Sequence, residues 1–228
     1  ATKRGRSDGL LFLSREVTPA IVEHLQATDQ EVVLVDTEHP EFESISIKNE
    51  EGGYIATRHL IEQGHQRIAH ITSKEPEPPP AEQRRQGYER ALAGAGYDPI
   101  LARGAEEPFA FSKEGGYRAM TALLDQDPLP DAVFASSDMQ AVGARKAIRE
   151  TDLRIPDDLA LVGFDDIDLS AYVGLTTVRQ PLLDFGKLAI EKLLGRMDDP
   201  GRNVSSTVFA PELVVRGSCG HSHSDVAE

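Results

Sequence analysis

Two side chains in this sequence carry the donors and acceptors that bind small polar molecules. Arg84 lies in "RRQGY", just after a proline-rich stretch, and its guanidinium is a planar fork of donors suited to vicinal hydroxyls or a carboxylate. Asp165 follows the apolar run "LALVGF", and its carboxylate can accept hydrogen bonds from hydroxyls. Each also has a structural interpretation: Arg84 as a surface arginine on a first helical turn, Asp165 as a turn residue that caps backbone amides. Residue type alone leaves both alternatives open.

Five further residues could line a polar site, because most of them follow apolar runs that we interpret as strands. They are Ser14, Asp36, Phe111, Ser137 and Asp138. Phe111 could stack on the apolar face of a sugar or on a base ring, or it could simply pack in the core. Ser137 and Asp138 follow the run "AVFAS", and Asp138 could instead cap the helix after it. Asp36 ends the run "VVLVD", and Ser14 follows "GLLFL".

No metal or catalytic motif accompanies these residues. The acidic run "DDIDLSAYVGL" lacks the alternating Asp positions, central Gly and late Glu of an EF-hand loop. There is no GxSxG elbow and no Walker loop. The single cysteine, Cys219, opens "CGHSHS", which we interpret as a polar terminal tail rather than a metal or nucleophile setting. We therefore expect no enzyme activity, no metal ion and no cofactor.

The elements that must position these side chains alternate between strands and helices. Short apolar runs with little polar alternation are typical of parallel strands covered on both faces. These runs are "GLLFL" (9–13), "VVLVD" (32–36), "RIAHI" (67–71), "AVFAS" (132–136) and "LALVGF" (159–164). Between them, apolar residues recur at helical spacing, for example from Leu182 to Leu193 over three turns. This alternation predicts a doubly wound α/β architecture.

The pattern Glu-Gly-Gly-Tyr occurs twice, starting at Glu51 and at Glu114, each time at the start of a helix-like run. Either a duplicated structural unit or a coincidence of helix-start chemistry explains it. Between the copies, the segment 73–83 ("SKEPEPPPAEQ") holds four prolines in eight residues. It cannot form a helix interior, and we interpret it as a stiff extended crossing between two units.

Length and composition favour one large domain or two lobes and exclude several protein classes. The chain has 228 residues, which is enough for a substantial core. Its net charge of −14 repels phosphates, so the chain by itself is a poor nucleic-acid binder. One cysteine excludes an intramolecular disulfide and favours a reducing cytoplasm. No apolar run approaches the roughly 20 residues that a membrane span needs.

Five blocks, in order along the chain, resemble the lactose-repressor (LacI/GalR) family of bacterial transcription regulators. They are "RHLIEQGHQRIAHI" (58–71), "AEQRRQGYERAL" (81–92), "DAVFASSDMQAVGARKAIRE" (131–150), "IPDDLALVGFDDIDLSAYVGLTTVRQP" (155–181) and "PELVVRGS" (211–218). The match covers essentially the whole chain. We find no match in this sequence to the helix-turn-helix that precedes the core in this family, or to the first strand-helix-strand of the core.

The resemblance implies a particular α/β fold: two doubly wound parallel-sheet lobes, joined by three crossings, with a small ligand in the cleft between them. It places the N-terminal lobe, incomplete here, at 1–73 plus 176–203 and the C-terminal lobe at 74–175 plus 204–228. One copy of the repeat would then fall in each lobe. It also implies that Arg84 reaches the ligand, that Phe111 stacks on it and that Asp165 accepts from its hydroxyls.

The function implied by the resemblance is that of the effector-binding and dimerisation core of a cytoplasmic regulator. Its effector would be a sugar or a nucleobase-like compound, it would form a homodimer, and it would contact DNA only through the absent N-terminal head. The alternative is a solute-binding protein of the same fold for transport or chemoreception. A sugar- or nucleoside-processing enzyme is a third possibility, since fold does not determine function. The specific sequences of "PDDLALVGFDDIDLS" and "GHQRIAHI" favour the regulator over the solute-binding protein.

Overall fold

The computed structural model describes residues 7–14, 16–28, 30–73, 76–104 and 111–220, which hold ten strands and seven helices. The strands are β1 (Gly9–Leu13), β2 (Glu31–Val35), β3 (Glu43–Ile47), β4 (Ile68–Thr72), β5 (Ile100–Arg103), β6 (Ala132–Ala135), β7 (Ala160–Asp165), β8 (Thr176–Arg179), β9 (Ser206–Phe209) and β10 (Glu212–Val214). The helices are α1 (Pro19–Gln26), α2 (Asn49–Glu62), α3 (Pro79–Ala95), α4 (Lys113–Leu124), α5 (Asp138–Arg149), α6 (Asp168–Tyr172) and α7 (Leu182–Asp198). Within these ranges, none of the helices has the length and apolar character that a membrane span requires.

The chain divides into two compact units and crosses between them three times. Unit 1 comprises Ala1–Lys48 and Pro181–Ala210, and unit 2 comprises Asn49–Gln180 and Pro211–Glu228. Each unit contains one largely parallel sheet. The predicted α/β architecture, with two parallel-sheet lobes and three crossings, is confirmed.

The boundaries of the two units differ from the expected ones, because strand pairing rather than the proline stretch decides them. Strand β4 pairs with β5 and β6, so the segment 49–73 belongs to unit 2. Strand β8 pairs with β7 and therefore also lies in unit 2, whereas β9 pairs with β3 in unit 1. The crossings follow Lys48, Gln180 and Ala210.

The proline stretch starts a helix instead of linking two units. Pro78 is the N-cap of α3, and Pro79 and Pro80 form its first turn. The first N–H groups of a helix have no partner inside the helix, so proline loses nothing there, and its fixed φ already suits the helix. The interpretation of this segment as a crossing was therefore wrong.

Unit 1 is a four-stranded parallel sheet of order β1-β2-β3-β9 with a helix on each face. Helix α7 packs Phe185 and Ala189 against Val33 and Ile45 of the sheet. On the other face, residues of α1 pack against Val32, Leu34 and Phe42. The apolar stripe predicted for the segment 182–193 is thus the face of α7 that contacts the sheet.

Unit 2 is a six-stranded sheet of order β10-β8-β7-β6-β4-β5, parallel except for β10. Helices α2 and α3 cover one face, where Leu60 and Tyr88 pack against Phe134 and Phe164. Helices α4 and α5 cover the other face, where Met120 packs among aliphatic residues of β4, β6 and β7. Two layers of paired helices therefore enclose the sheet.

The repeated Glu-Gly-Gly-Tyr pattern marks the close crossing within each helix pair. A Cβ on Gly53 of α2 would lie 2.0 Å from the carbonyl oxygen of Arg84 in α3. A Cβ on Gly116 of α4 would lie 2.0 Å from the carbonyl oxygen of Gln140 in α5. Only glycine allows backbones to approach so closely. Both copies lie in unit 2, so the prediction of one copy per lobe was wrong.

The tyrosine of each copy also makes an equivalent contact across its helix pair. The Arg90 guanidinium of α3 lies 4.4 Å from the centroid of the Tyr54 ring. The Lys146 ammonium of α5 lies 4.2 Å from the centroid of the Tyr117 ring. A cation over an aromatic face at this distance is attracted by the ring quadrupole. Matching glycine and cation contacts indicate that α2–α3 and α4–α5 are two versions of one structural unit.

Candidate ligand-binding site

Several polar side chains of unit 2 meet where β6 and β7 end. Ser136 directly follows β6, Asp165 is the last residue of β7, and Arg84 enters from the second turn of α3. Asn49, the first residue of α2, joins them. Open α/β sheets bind ligands at the carboxyl ends of their strands. We call Arg84, Asn49, Ser136, Asp165 and Phe164 the Arg84 cluster.

The guanidinium of Arg84 is buried, with only 4% of its side chain exposed. Its Nε donates to Oδ1 of Asn49 at 2.8 Å, and its Nη1 donates to the carbonyl oxygen of Ser136 at 2.6 Å. The guanidinium carbon lies 3.6 Å from the centroid of the Phe164 ring. Buried arginine needs such acceptors and aromatic faces to offset the loss of hydration. The alternative of a surface arginine is therefore excluded.

Asp165 lies beside Arg84 in a backbone conformation that is unusual for its residue type. Its Oδ1 is 3.6 Å from Nη1 of Arg84 and accepts a hydrogen bond of 2.6 Å from Nε2 of Gln180. Its φ is 120°, and that of Asp166 is 55°. Positive φ in residues with a Cβ costs about 1–3 kcal/mol each and clusters at functional sites. The chain accepts this strain where it turns the Asp165 carboxylate toward Arg84.

Asp166 anchors this turn. Its carboxylate accepts from Nη2 of Arg216 at 2.6 Å and from Nε of Arg179 at 2.8 Å. Burial alone would raise the pKa of Asp166, but the two guanidinium groups outweigh burial and hold the pKa below its usual value. Asp166 is therefore charged and tied to β8 and to the segment after β10, which stabilises the turn that carries Asp165.

Phe111 and Ser137 lie close to the Arg84 cluster. The centroid of the Phe111 ring is 6.0 Å from the guanidinium carbon of Arg84. The hydroxyl of Ser137 donates to the carbonyl oxygen of Phe111 at 3.5 Å. The structure thus brings four sequence-predicted residues, Arg84, Asp165, Phe111 and Ser137, into one region of unit 2.

Asp138 has a different position from the one expected of a ligand contact. Its carboxylate is fully buried and accepts from the hydroxyls of Ser170 and Thr177, both at 2.5 Å, and from the backbone N–H of Ile167 at 3.0 Å. Burial raises the pKa of Asp138, and the hydrogen bonds oppose this only partly. Ser137, not Asp138, is the N-cap of α5, because its hydroxyl accepts from the N–H of Gln140 at 3.2 Å. Asp138 therefore ties α5 to β8 and α6.

The two remaining predicted residues, Asp36 and Ser14, lie in unit 1. Asp36 directly follows β2 with a φ of 64°, and its N–H donates to the carbonyl oxygen of Ile45 at 2.8 Å. Ser14 follows β1, and its hydroxyl donates to the carbonyl oxygen of Glu16 at 2.5 Å. Both follow the carboxyl ends of strands, as expected. Their role in ligand binding stays a prediction.

Sequence reasoning missed two polar partners of the cluster, Asn49 and Gln180. Asn49 is the first residue of unit 2 after the first crossing, and Gln180 is the last residue before the second. A polar residue at a crossing between units is the signal that could have identified them. Neither carries a motif of its own.

Cys219 is not part of a polar tail. It is only 1% exposed, and its Sγ lies 3.0 Å from Nε2 of His59 and from Oγ1 of Thr176. Burial raises the pKa of the thiol and lowers the pKa of His59, so both groups are neutral near pH 7. The histidines of "CGHSHS" lie outside the described residues. Among the residues that are described, no group of three or more ligands could hold a metal ion.

Comparison with known proteins identifies the family. The model of the periplasmic binding protein-like domain matches residues 57–219. The ribose operon repressor of Haemophilus influenzae is 43% identical over 169 residues, which are 73% of this chain and 50% of that protein. The repressor PurR of Histophilus somni strain 2336 is 37% identical over 218 residues, 93% of this chain and 65% of that protein. The chain thus spans between half and about two thirds of these relatives.

Solved structures agree with the sequence comparison. A LacI family transcriptional regulator from Enterococcus faecium, with bound ribose, superposes with a TM-score of 0.84 and 28% sequence identity. The match covers 93% of this chain and 80% of that one. The chain belongs to the periplasmic binding protein-like domain family and carries the effector-binding core of the LacI-type regulators.

Proposed function

We propose that this core binds a small polyhydroxylated effector, with a sugar of pentose size as the first candidate, at the Arg84 cluster. The observation that carries the proposal is the buried Arg84 guanidinium 3.6 Å from the Asp165 carboxylate. A hydroxyl group both accepts and donates, so adjacent hydroxyls match an arginine beside an aspartate.

The relatives support this class of effector. A ribose operon repressor is 43% identical to this chain, and a LacI family regulator of the same fold was solved with bound ribose. The similarity to PurR at 37% identity makes a nucleobase-like compound the second candidate. Phe111 suits either one, because its ring can stack on the apolar face of a sugar or on a base.

The whole protein would then be a cytoplasmic, non-enzymatic transcriptional regulator. DNA contact would come from an N-terminal head outside this chain, because a core with a net charge of −14 repels phosphates. We propose that the core forms a homodimer and that the effector binds two arrangements of the core with different affinity. Such a difference is typically worth about 1–3 kcal/mol.

The proposal is tested by screening ribose, other sugars and nucleobases for thermal stabilisation, followed by titration calorimetry. A ligand at 100 times its dissociation constant stabilises by about 2.7 kcal/mol. Arg84→Ala should abolish the heat of binding. If none of these compounds stabilises the chain, or if Arg84→Ala binds with unchanged Kd, the proposed site is wrong.

Arg85→Ala is the matched control. Arg85 is the next residue of the same helix, but its guanidinium pairs with Glu77 and Glu89, both at 2.8 Å. Its loss should lower thermal stability and leave the Kd of the ligand unchanged. This separates loss of a ligand contact from loss of an ion pair on α3.

A further inference from the structure

His70 is a fully buried polar residue that the proposed function leaves without a role. It lies in the middle of β4 and has no solvent exposure. Its ring stacks on Phe134 and Tyr88, with centroid distances of 4.7 Å and 5.0 Å. A phenylalanine would fill such a place without the penalty of burying two ring nitrogens. The hydrogen bonds of His70 are therefore the feature to explain.

These hydrogen bonds fix the tautomer of the ring. Nδ1 is 2.9 Å from the carbonyl oxygen of Phe134, which can only accept, so Nδ1 carries the proton. Nε2 is then an acceptor, and the hydroxyl of Ser136 donates to it at 3.2 Å. Burial lowers the pKa of His70 to about 3, so the ring is neutral and keeps this arrangement at physiological pH.

Ser136 is thereby held at three points. Its N–H donates to the carbonyl oxygen of Ile71 at 2.9 Å, and its hydroxyl is bound by His70. Its own carbonyl oxygen accepts from Nη1 of Arg84 at 2.6 Å. A residue fixed in this way presents its carbonyl group in one direction, and that direction sets the position of the guanidinium.

We propose that His70 is a positioning residue, which acts through Ser136 to hold Arg84 at the place from which it contacts the ligand. This role rests on the proposed function in one respect, because it takes Arg84 to be a ligand contact. The link from His70 to Ser136 to Arg84 is continuous, and all three side chains are buried. Binding groups held by a second layer of hydrogen bonds bind better because they lose less freedom.

The test compares His70→Phe with Ser136→Ala, which break the same link from its two sides. The control is Tyr88→Phe, a change in the ring that stacks on His70. It removes a hydroxyl that donates to the carbonyl oxygen of Ile68 and accepts from the N–H of Ile100, both at 2.8 Å. Two readouts are measured: the ¹⁵N–¹H resonance of Arg84 Nε in the ligand-free chain, and the Kd of the effector found by the thermal screen.

We expect His70→Phe and Ser136→Ala each to shift the Arg84 resonance and to weaken binding about fivefold to tenfold, the worth of one hydrogen bond. The double variant should bind no more weakly than either single variant, because both changes break one link. Tyr88→Phe should lower thermal stability and leave both readouts unchanged.

An Arg84 resonance that does not move in His70→Phe, or that moves equally in Tyr88→Phe, overturns the positioning role. If His70→Phe does not fold, Ser136→Ala decides by the same readouts. A wild-type chain that binds no tested compound overturns the proposed function instead, and the Arg84 resonance still decides whether His70 positions the guanidinium.

Discussion

Nη1 of Arg84 and Oδ1 of Asp165 form an ion pair at 3.6 Å, a separation that one ligand hydroxyl can span. A hydroxyl between them can accept from Arg84 and donate to Asp165. The two residues come from α3 and from the end of β7. Asn49, which precedes Arg84 in the chain, accepts a hydrogen bond from it, and Gln180, which follows Asp165, donates one to Asp165. This pair is the centre of the proposed site.

Removal of the charge of Asp165 should weaken ligand binding. Asp165→Asn keeps the shape but loses a charge-assisted hydrogen bond, which is worth about 1.5–3 kcal/mol, or roughly tenfold to a hundredfold in Kd. Titration calorimetry measures the Kd of each variant. Asp168→Asn is the control, because Asp168 is exposed and only three residues further along. Equal Kd values for the wild type and Asp165→Asn would remove Asp165 from the site.

The glycines at the helix crossings should be intolerant of any side chain. Gly116→Ala would place a Cβ 2.0 Å from a backbone oxygen of α5, so the helices must separate, and we expect a loss of about 1–3 kcal/mol. Gly94→Ala is the control in α3, because outside the local backbone of α3 no heavy atom lies within 4 Å of its added Cβ. It should stabilise by about 0.4–1 kcal/mol. Denaturant unfolding measures both, and a stable Gly116→Ala would disprove the close crossing.

The buried ion pair of unit 1 should be costly to break. Nζ of Lys192 lies 2.5 Å from Oε2 of Glu43, and the Glu43 side chain has no exposure. Glu43→Leu leaves the ammonium unpaired and should cost about 3–5 kcal/mol, whereas Glu43→Leu with Lys192→Met should recover most of it. Hydrogen exchange of the β2 and β3 amides reports the change. Failure of the double variant to recover protection would contradict this explanation.

The same pair predicts how the stability of unit 1 depends on pH. Burial favours a raised pKa for Glu43, but the hydrogen bonds from Lys192 and Ser205 outweigh it and hold the pKa below its ordinary value of 4.5. A lowered carboxyl pKa contributes stability that is present above pH 4.5 and is lost as the pH falls through the folded-state pKa. Glu43→Gln should therefore be less acid-sensitive than the wild type. Parallel acid unfolding curves would contradict this.

The thiol of Cys219 should react only after unit 2 opens. It is the single cysteine of the chain, it is buried, and its pKa is raised. We expect labelling by a chromogenic disulfide to be slow in buffer and rapid in denaturant, and His59→Ala should not slow it further. Fast labelling of the native chain that His59→Ala abolishes would instead reveal a thiolate activated by His59.

The sequence predicted the strands that are buried on both faces. Strands β2, β4, β6 and β7 are apolar runs because helices cover both sides of each sheet. Strand β1 is also an apolar run, but it lies at the edge of its sheet and is only partly buried. Strand β3 was missed, because three of the five residues in "ESISI" are polar. It is nevertheless entirely buried, and its Glu43 is paired with Lys192, 149 residues away in the sequence. A charge that is neutralised by so distant a partner leaves no local pattern.

The site was predictable only in part, for a similar reason. By chemistry alone Arg84 is a common surface residue, and only the family resemblance suggested its role. Its hydrogen-bond acceptors lie 35 and 52 residues away, in Asn49 and Ser136. Asp138 is the opposite case, since its position after a strand suggested a ligand contact. Three hydrogen-bond donors, one of them 39 residues distant, use its carboxylate instead.

The most direct measurement is a crystal structure of the chain with the compound that stabilises it most in the thermal screen. We predict a ligand hydroxyl within about 3.2 Å of both Arg84 and Asp165, with a ring face against Phe111. A ligand bound elsewhere, or one that leaves Arg84 and Asp165 without contact to it, would contradict the account.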